Sequence, residues 1–499
     1  MKKNILVGIL FMTGLSMLIS SCDEWLDVKP KAEVESDELF ETESGFKDAL
    51  IGVYLSLTDN SVYGKEMTFG FMDVLAQQYD MARSNSYYYV KSYMYTDDAV
   101  CKIKDKMWAG LYNSIANINN ILEQIEAKGD VMHPNVRALI KGECLGLRAY
   151  LHFDLLRIWG FGNLEANPAS MEKLTIPYAT KFEKHAAEQL TEAKVLECIE
   201  ADLEEARMLM ESIDPYSYYP KEVGYSLPDE NGFFENRQVR FNYCAVRATQ
   251  ARVYLWEGKY EEAYACASEV GNRCDPYFPW TNTVGVTDRN TFNKLFSTEH
   301  IFALTINNIY DRYKDNLQLA FTSGENPEAF YLSAERWSAL YPGGDLISDF
   351  RREYHFDVNQ VGAKEMLKFV QGETYANKDK DRMPMIRRSE MFYIMAECLN
   401  RKGDDESRKQ AIACLNTVRR NRNISSNLRE TLTQAEVTAE IQKEYQKEFV
   451  SEGQLFYFYK RLGALSITGT NAEMNNHVYV LPIPDVELEF GGRVDTDKD

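Results

Sequence analysis

Apolar residues recur along most of this chain at three- and four-residue steps, the spacing that places them on one face of an α-helix. Over Ser44–Thr58 the positions are Phe46, Leu50, Val53 and Leu57. Over Lys106–Lys128 they are Trp108, Leu111, Ile115, Ile118, Leu122 and Ile125. Pro134, a residue type favoured in a first helical turn, opens a third helix that the pattern carries to about Gly160. Val195–Met210 reads as a fourth, and Gln434–Gly453 as a last long one with Val437, Ile441, Tyr445 and Phe449 on one side. Ala251–Val270 and Met391–Arg420 each read helix, glycine turn, helix, with Ala263, Ala267 and Ala411 where two helices can approach closely. Such pairs bury a face only by stacking on the next pair. The pattern therefore predicts a mainly α, tetratricopeptide-like helical-pair scaffold with few short strands.

Three tracts break the periodicity. Asn60–Tyr95 is rich in Tyr, Ser and Asn, Asp214–Asn236 carries three prolines, and Cys274–Pro384 is the longest weakly periodic stretch. Loops of this length inside a compact protein usually serve function. The expected organisation is a leader at 1–21 and a single domain at 22–499. Within that domain the helical-pair scaffold occupies about 40–272 and 385–463, and a loop-rich ligand-binding insert about 273–384.

The leader is read from Lys2 and Lys3, the mostly apolar Ile5–Ile19, and the small residues Ser20 and Ser21 before Cys22. The apolar run is too short and too interrupted for a membrane span. Ile19-Ser20-Ser21-Cys22 resembles a bacterial lipobox, which predicts cleavage before Cys22 and lipidation of its thiol; an ordinary secretory leader beside a chance cysteine is the alternative. Several acyl chains anchor a protein far better than one. The acidic "CDEWLD" that follows resembles the surface-export tags of Bacteroidetes lipoproteins.

A formal net charge of -20 argues against nucleic acid and other polyanions as partners. Eight cysteines remain after Cys22, with no CxxC pair and no Cys/His metal spacing. They are expected as free, packed thiols, with Cys266–Cys274 the first pair to examine. No nucleotide, metalloprotease or hydrolase motif occurs, so no cofactor and no metal are expected. His152, inside an apolar helical run, is expected as a packed histidine with a satisfied nitrogen.

Five ordered stretches resemble the SusD/RagB family of surface lipoproteins. They are the lipobox with "CDEWLDVKPKAEV", then Gly142–Gly160, Met383–Gly403, Glu444–Gly463 and Leu481–Glu489. The matching positions include Gly142, Glu143, Leu147, Arg148, Ala149, Phe153, Ile386, Arg387, Glu390, Ala396, Glu397, Glu444, Glu448, Glu452, Gly453, Lys460 and Arg461. Their charged members are expected as scaffold ion pairs and caps. Where the family carries an Arg and an Asp, this chain has Leu455 and Phe458, an apolar pair at i and i+3.

The resemblance implies a non-enzymatic, lipid-anchored outer-membrane protein facing the cell exterior. It would capture an oligomeric nutrient, an oligosaccharide or else a peptide, and deliver it to a SusC-like TonB-dependent transporter. A surface hydrolase acting on the same polymer is the alternative. Sugar rings stack on half-wet aromatic side chains. The candidate ligand contacts are Tyr79, Tyr87, Tyr88 and Tyr89 in the first irregular tract, and Tyr277, Trp280, Tyr310, Trp337 and Tyr341 in the long one. Asp73, Arg83 and Asn85 are candidates for fixing hydroxyl orientation.

Overall fold

The computed structural model describes residues 38–229, 231–283, 288–289, 291–321, 324–358, 362–371 and 380–496. The expected leader and Cys22 lie outside the described residues. Each periodic stretch forms one or two helices, most of them started by a side-chain cap. Helix α1 (Glu43–Ser56) starts where the Thr42 hydroxyl accepts the Gly45 N–H. Helix α2 (Asp98–Lys128) begins well before Lys106, with Asp97 as its cap and Val100 already buried in the first turn. Helix α3 (Pro134–Trp159) has its proline in the first turn, as expected. Helix α4 (Glu192–Met210) is capped by Thr191. Helices α5 (Tyr243–Glu257) and α6 (Tyr260–Ser268) are joined by Gly258 at φ 80°, a left-handed turn that glycine enters without strain.

Short helices α7 (Ile309–Leu317) and α8 (Ala334–Leu340) lie in the long irregular tract. Helices α9 (Arg388–Arg401) and α10 (Asp405–Asn421) turn at Gly403, φ 79°. Helix α11 (Gln434–Glu448) opens with a reciprocal capping box between Thr433 and Glu436, and α12 (Leu455–Leu462) follows.

Helix α3 is the axis of the scaffold, buried without a break from Gly142 to Trp159 and packed against α2 and α4. Its glycines are required by that packing. A Cβ on Gly142 would sit 2.6 Å from Met210 Cγ, and one on Gly146 2.6 Å from the Phe241 ring. Ala263 and Ala267, fully buried, let α6 close onto α5 and α9, and Ala411 does the same for α10 on α9. His152 has both ring nitrogens engaged: Nδ1 lies 2.9 Å from the Arg148 carbonyl and Nε2 accepts the Ala179 N–H at 3.0 Å. Burial pulls its pKa down to about 3, so it is neutral.

Strand content is small. Strands β1 (Leu174–Pro177) and β2 (Gln189–Thr191) pair antiparallel, as do β3 (His300–Thr305) and β4 (Arg382–Arg387). The register runs from His300 opposite Arg387 to Thr305 opposite Arg382, so the long tract leaves and rejoins the scaffold at one place. Strand β4 then runs directly into α9.

The interior is held by buried ion pairs. Glu143 accepts from Arg240 at 3.1 Å, from the Tyr54 hydroxyl at 2.7 Å, and from Arg237. Arg148 grips Asp202 with two bonds of 2.7 and 2.8 Å, and Arg252 grips Glu390 at 2.7 and 2.6 Å. The largest cluster centres on Glu448, which accepts from Arg351 at 2.9 Å, from Arg422 at 2.6 and 3.1 Å, and from Arg387. Around it, Arg351 also pairs with Glu444 and Asp349, Arg422 with Glu299, Lys447 with Glu444, and Arg387 and Lys368 with Glu452. Acids and bases balance within this cluster, the condition under which buried charge is tolerated.

Burial alone would raise the pKa of Glu444, but Arg351 and Lys447 outweigh it and hold it at about 2. Glu448 is held well below the usual carboxylate range by Arg422, Arg387 and Arg351 against the same burial.

Replacing Glu448 by Gln should lower the unfolding free energy by about 3–5 kcal/mol, since three buried guanidinium groups lose their shared counter-charge. Denaturant titration at neutral pH measures this. Both carboxylates have folded pKa values below their unfolded ones. Their stabilisation is therefore complete above the ordinary value of 4.5 and declines as pH falls toward about 2. Wild-type stability that rises over that acid range would contradict the assignment.

Candidate functional site

The first irregular tract meets the long one along a backbone seam. The Asp80 N–H donates to the Tyr331 carbonyl at 2.7 Å, and the Tyr331 N–H returns a bond to the Asp80 carbonyl at 3.0 Å. Asn85 Nδ2 donates to the Pro327 and Ala329 carbonyls, and Ser86 donates to Glu328 from its N–H and its hydroxyl. Phe330 seals the seam, with Tyr79 stacked on it at 5.0 Å between centroids and Tyr87 edge-on at 5.2 Å.

Beside this seam opens a cleft of about 400 Å³ between residues 76–78, α8, α11 and the start of α12. Its apolar wall includes Leu332, Leu340, Phe356, Val450 and Leu455; its polar wall includes Gln77, Gln78, Arg336, Gln442, Gln446 and Tyr459. Arg336 donates to Asp80 at 3.0 Å and to the Gln77 carbonyl, fastening α8 to the first tract. Burial opposes ionisation of Asp80, yet Arg336 and the Ser333 N–H hold its pKa below the ordinary value.

Gln77 sits at φ 57°, a left-handed conformation that a non-glycine residue holds only when its surroundings impose it. Its Nε2 donates to the Lys91 carbonyl at 2.8 Å and the Tyr93 hydroxyl at 3.0 Å. Its Oε1, and Nε2 of the neighbouring Gln78, are buried and without a hydrogen-bond partner among the described residues. Gln446 donates to the Tyr459 hydroxyl at 2.9 Å. The cleft thus sets amides, a guanidinium and a phenol against an apolar wall. This is the composition of a site for a neutral, hydroxyl-rich ligand. Among the described residues that line it, Glu335 is the only carboxylate.

The nine aromatic candidates do not converge. Tyr79 is fully buried, with its hydroxyl 2.9 Å from Asp73, and Tyr87 is buried with its hydroxyl on Glu66. Tyr341 is buried against Phe356. These three serve the seam and core and present no open ring face, which corrects the expectation for them. Asp73 and Asn85 are likewise structural. Asp73 accepts the N–H groups of Ser451 and Gly453 at 2.5 and 2.9 Å, shaping the turn that ends α11, and burial pushes its pKa up to about 7.

Tyr88 and Tyr89, at 6.1 Å from each other, remain at the surface, with Tyr89 45% exposed; Arg83 is exposed. Tyr310 is half-buried and takes a bond from Gln318 of its own segment. Trp337 is half-buried between Arg352 and Lys364, which lie 4.6 and 5.0 Å from its ring centroid. Tyr277 and Trp280 are half-buried elsewhere, Tyr277 stacked on Tyr216 at 5.0 Å and Trp280 packed on Phe392 of α9. Sequence reasoning passed over Gln77, Gln78 and Arg336. The available signal was a Gln-Gln pair next to a tyrosine in a tract without helical period.

A helical-pair scaffold with an amphipathic cleft on its irregular face defines a protein of helical-repeat architecture. Residues 24–255 match SusD-like proteins described as "Starch-binding associating with outer membrane", and residues 359–489 match the SusD family itself. A SusD-like protein of Formosa agariphila is 24% identical over 201 residues, a stretch covering 39% of this chain and 36% of that protein. The chain thus matches little more than a third of that relative's length.

Among solved structures, a SusD superfamily protein of Bacteroides thetaiotaomicron aligns with TM-score 0.66 and 19% identity over 92% of this chain and 100% of the other. A putative sugar binding protein of Bacteroides vulgatus aligns with TM-score 0.67 and 19% identity over 91% and 98%. The chain belongs to the SusD/RagB family, and its fold is that family's tetratricopeptide-like one. Among the described residues no helix is long and apolar enough to cross a membrane.

Changing Tyr79 to Phe should cost about 1–2 kcal/mol of stability, because the buried Asp73 carboxylate loses a donor. It should leave affinity for any cleft ligand unchanged. Parallel melting and binding measurements on this variant separate a seam residue from a contact residue.

Proposed function

We propose that this protein is a lipid-anchored receptor on the outer face of the outer membrane. It binds an oligomeric nutrient, most often a glycan among proteins of this family, and passes it to a SusC-like TonB-dependent transporter. The observation that carries the reading is the seam cleft, where Gln77, Gln78, Arg336, Gln446 and Tyr459 lie across from Leu332, Leu340, Phe356 and Val450. The family's character, starch-binding and associated with the outer membrane, supports both the ligand class and the location.

The second reading, hydrolysis of the same polymer, needs two carboxylates facing across the scissile bond. The described lining of the cleft offers Glu335 alone. Incubation of the purified chain with candidate glycans should give stoichiometric binding and no new reducing ends. Turnover that persists through repurification would overturn the receptor reading.

Gln78→Met tests the site itself. The side-chain volume is kept and no hydrogen bond of Nε2 is removed. The melting temperature should hold, while affinity for an oligosaccharide selected on a glycan array falls by about 1–3 kcal/mol. Unchanged affinity would place the ligand elsewhere. The anchor has its own test: Cys22→Ala should release folded protein from the membrane fraction, and unchanged attachment would reject lipidation.

A further inference from the structure

Of the eight cysteines in the described chain, two are brought face to face. Cys244 lies in the first turn of α5, and Cys274 closes the turn that follows α6, so the two ends of one helical hairpin meet at this point. Their sulfurs are 2.7 Å apart, closer than two unbonded thiols rest, and both residues are fully buried. Among the described residues, Cys244 Sγ makes one further bond, a weak one to the Tyr216 carbonyl at 3.3 Å. Tyr216 in turn stacks on Tyr277, and Phe278 lies edge-on to it at 5.8 Å, so aromatic rings cover the pair. Cys266, whose pairing with Cys274 was the first to examine, lies on α6 near Arg247 instead.

We propose that Cys244 and Cys274 form a disulfide that clamps the α5–α6 hairpin and fixes the segment Asp275–Trp280 to the scaffold. The bond forms by thiol–disulfide exchange with a disulfide oxidant of the cell envelope. One thiolate attacks the oxidant and releases a thiol, the second thiolate displaces the remaining half, and two protein thiols are oxidised as one external disulfide is reduced to two thiols. Because the folded compartment is closed and burial pushes the Cys244 thiol well up from its ordinary pKa, exchange takes place before α5 and α6 pack. In the cell this rests on the export proposed above; the chemistry of the pair does not.

The test separates the two. The full-length chain is refolded from denaturant in a buffer of reduced and oxidised glutathione, and in parallel isolated from membranes of its native host. Both samples are denatured without reductant, alkylated and digested. In the refolded sample the proposal predicts a linked Cys244–Cys274 peptide, with the other six of the eight cysteines alkylated. Alkylation of Cys244 and Cys274 before reduction, or a Cys266–Cys274 link, overturns it. A linked peptide after refolding but free thiols in the membrane sample would uphold the pairing and count against export. Cys244→Ala serves as control: Cys274 should then alkylate without reductant while the other six stay as they were, and a new Cys274 linkage in this variant would also overturn the assignment.

Discussion

Glu448 accepts hydrogen bonds from Arg351, Arg387 and Arg422, three guanidinium groups that reach it from three separate parts of the chain. Arg387 ends strand β4, Arg422 follows α10, and Arg351 sits in the short helix Phe350–Tyr354 of the long irregular tract. A buried charge without its partner costs several kcal/mol, so the three segments hold their places together or not at all. Lys368 adds a fourth point of attachment, donating to the Glu448 and Val450 carbonyls and to Glu452. A tract with little regular secondary structure is in this way fixed to a helical scaffold by electrostatics rather than by a continuous sheet. The cleft lies along the same junction, with Val450 and Leu455 in its wall.

The helical scaffold was legible because its signal is local. Apolar spacing, capping residues and glycine turns act within a few positions, and α1, α3, α4 and the α5–α6 and α9–α10 pairs follow them closely. Two boundaries were not legible for a physical reason. Helix α2 begins at a cap, Asp97, well before the regular apolar spacing sets in, and after α11 ends at Glu448 Asp73, far away in sequence, draws the backbone N–H groups of Ser451 and Gly453 into a turn. The apolar pair read at Leu455 and Phe458 is buried, and Phe458 stacks on Tyr445 at 4.3 Å, so a charged pair is replaced by packing. The charged residues of the family-like stretches, among them Glu143, Arg148, Arg387 and Glu390, are spent on internal ion pairs, as their sequence setting implied.

The site was far less legible, because composition says which residue types are plentiful and not which way they face. Tyrosine in the first tract is abundant partly because a seam between two irregular tracts needs large rings with polar tips. Tyr79 and Tyr87 fill that role, with their hydroxyls on Asp73 and Glu66. The cleft instead draws on Gln77, Gln78, Arg336 and Gln446, residues unremarkable in sequence; the pairing of Asp80 with Tyr331 brings the first two to Arg336, and α11 supplies Gln446. The cysteines repeat the lesson: the sequence led to an expectation of free thiols with Cys266–Cys274 as the first pair to examine, whereas the hairpin geometry brings Cys244 to Cys274.

Hydrogen–deuterium exchange on the full chain, with and without an oligosaccharide selected on a glycan array, tests the account most directly. Binding in the seam cleft predicts slowed exchange over residues 76–80, 332–340 and 442–459, with the α3–α4 scaffold unchanged. Protection confined to other segments, with these three unaltered at saturating ligand, would contradict it.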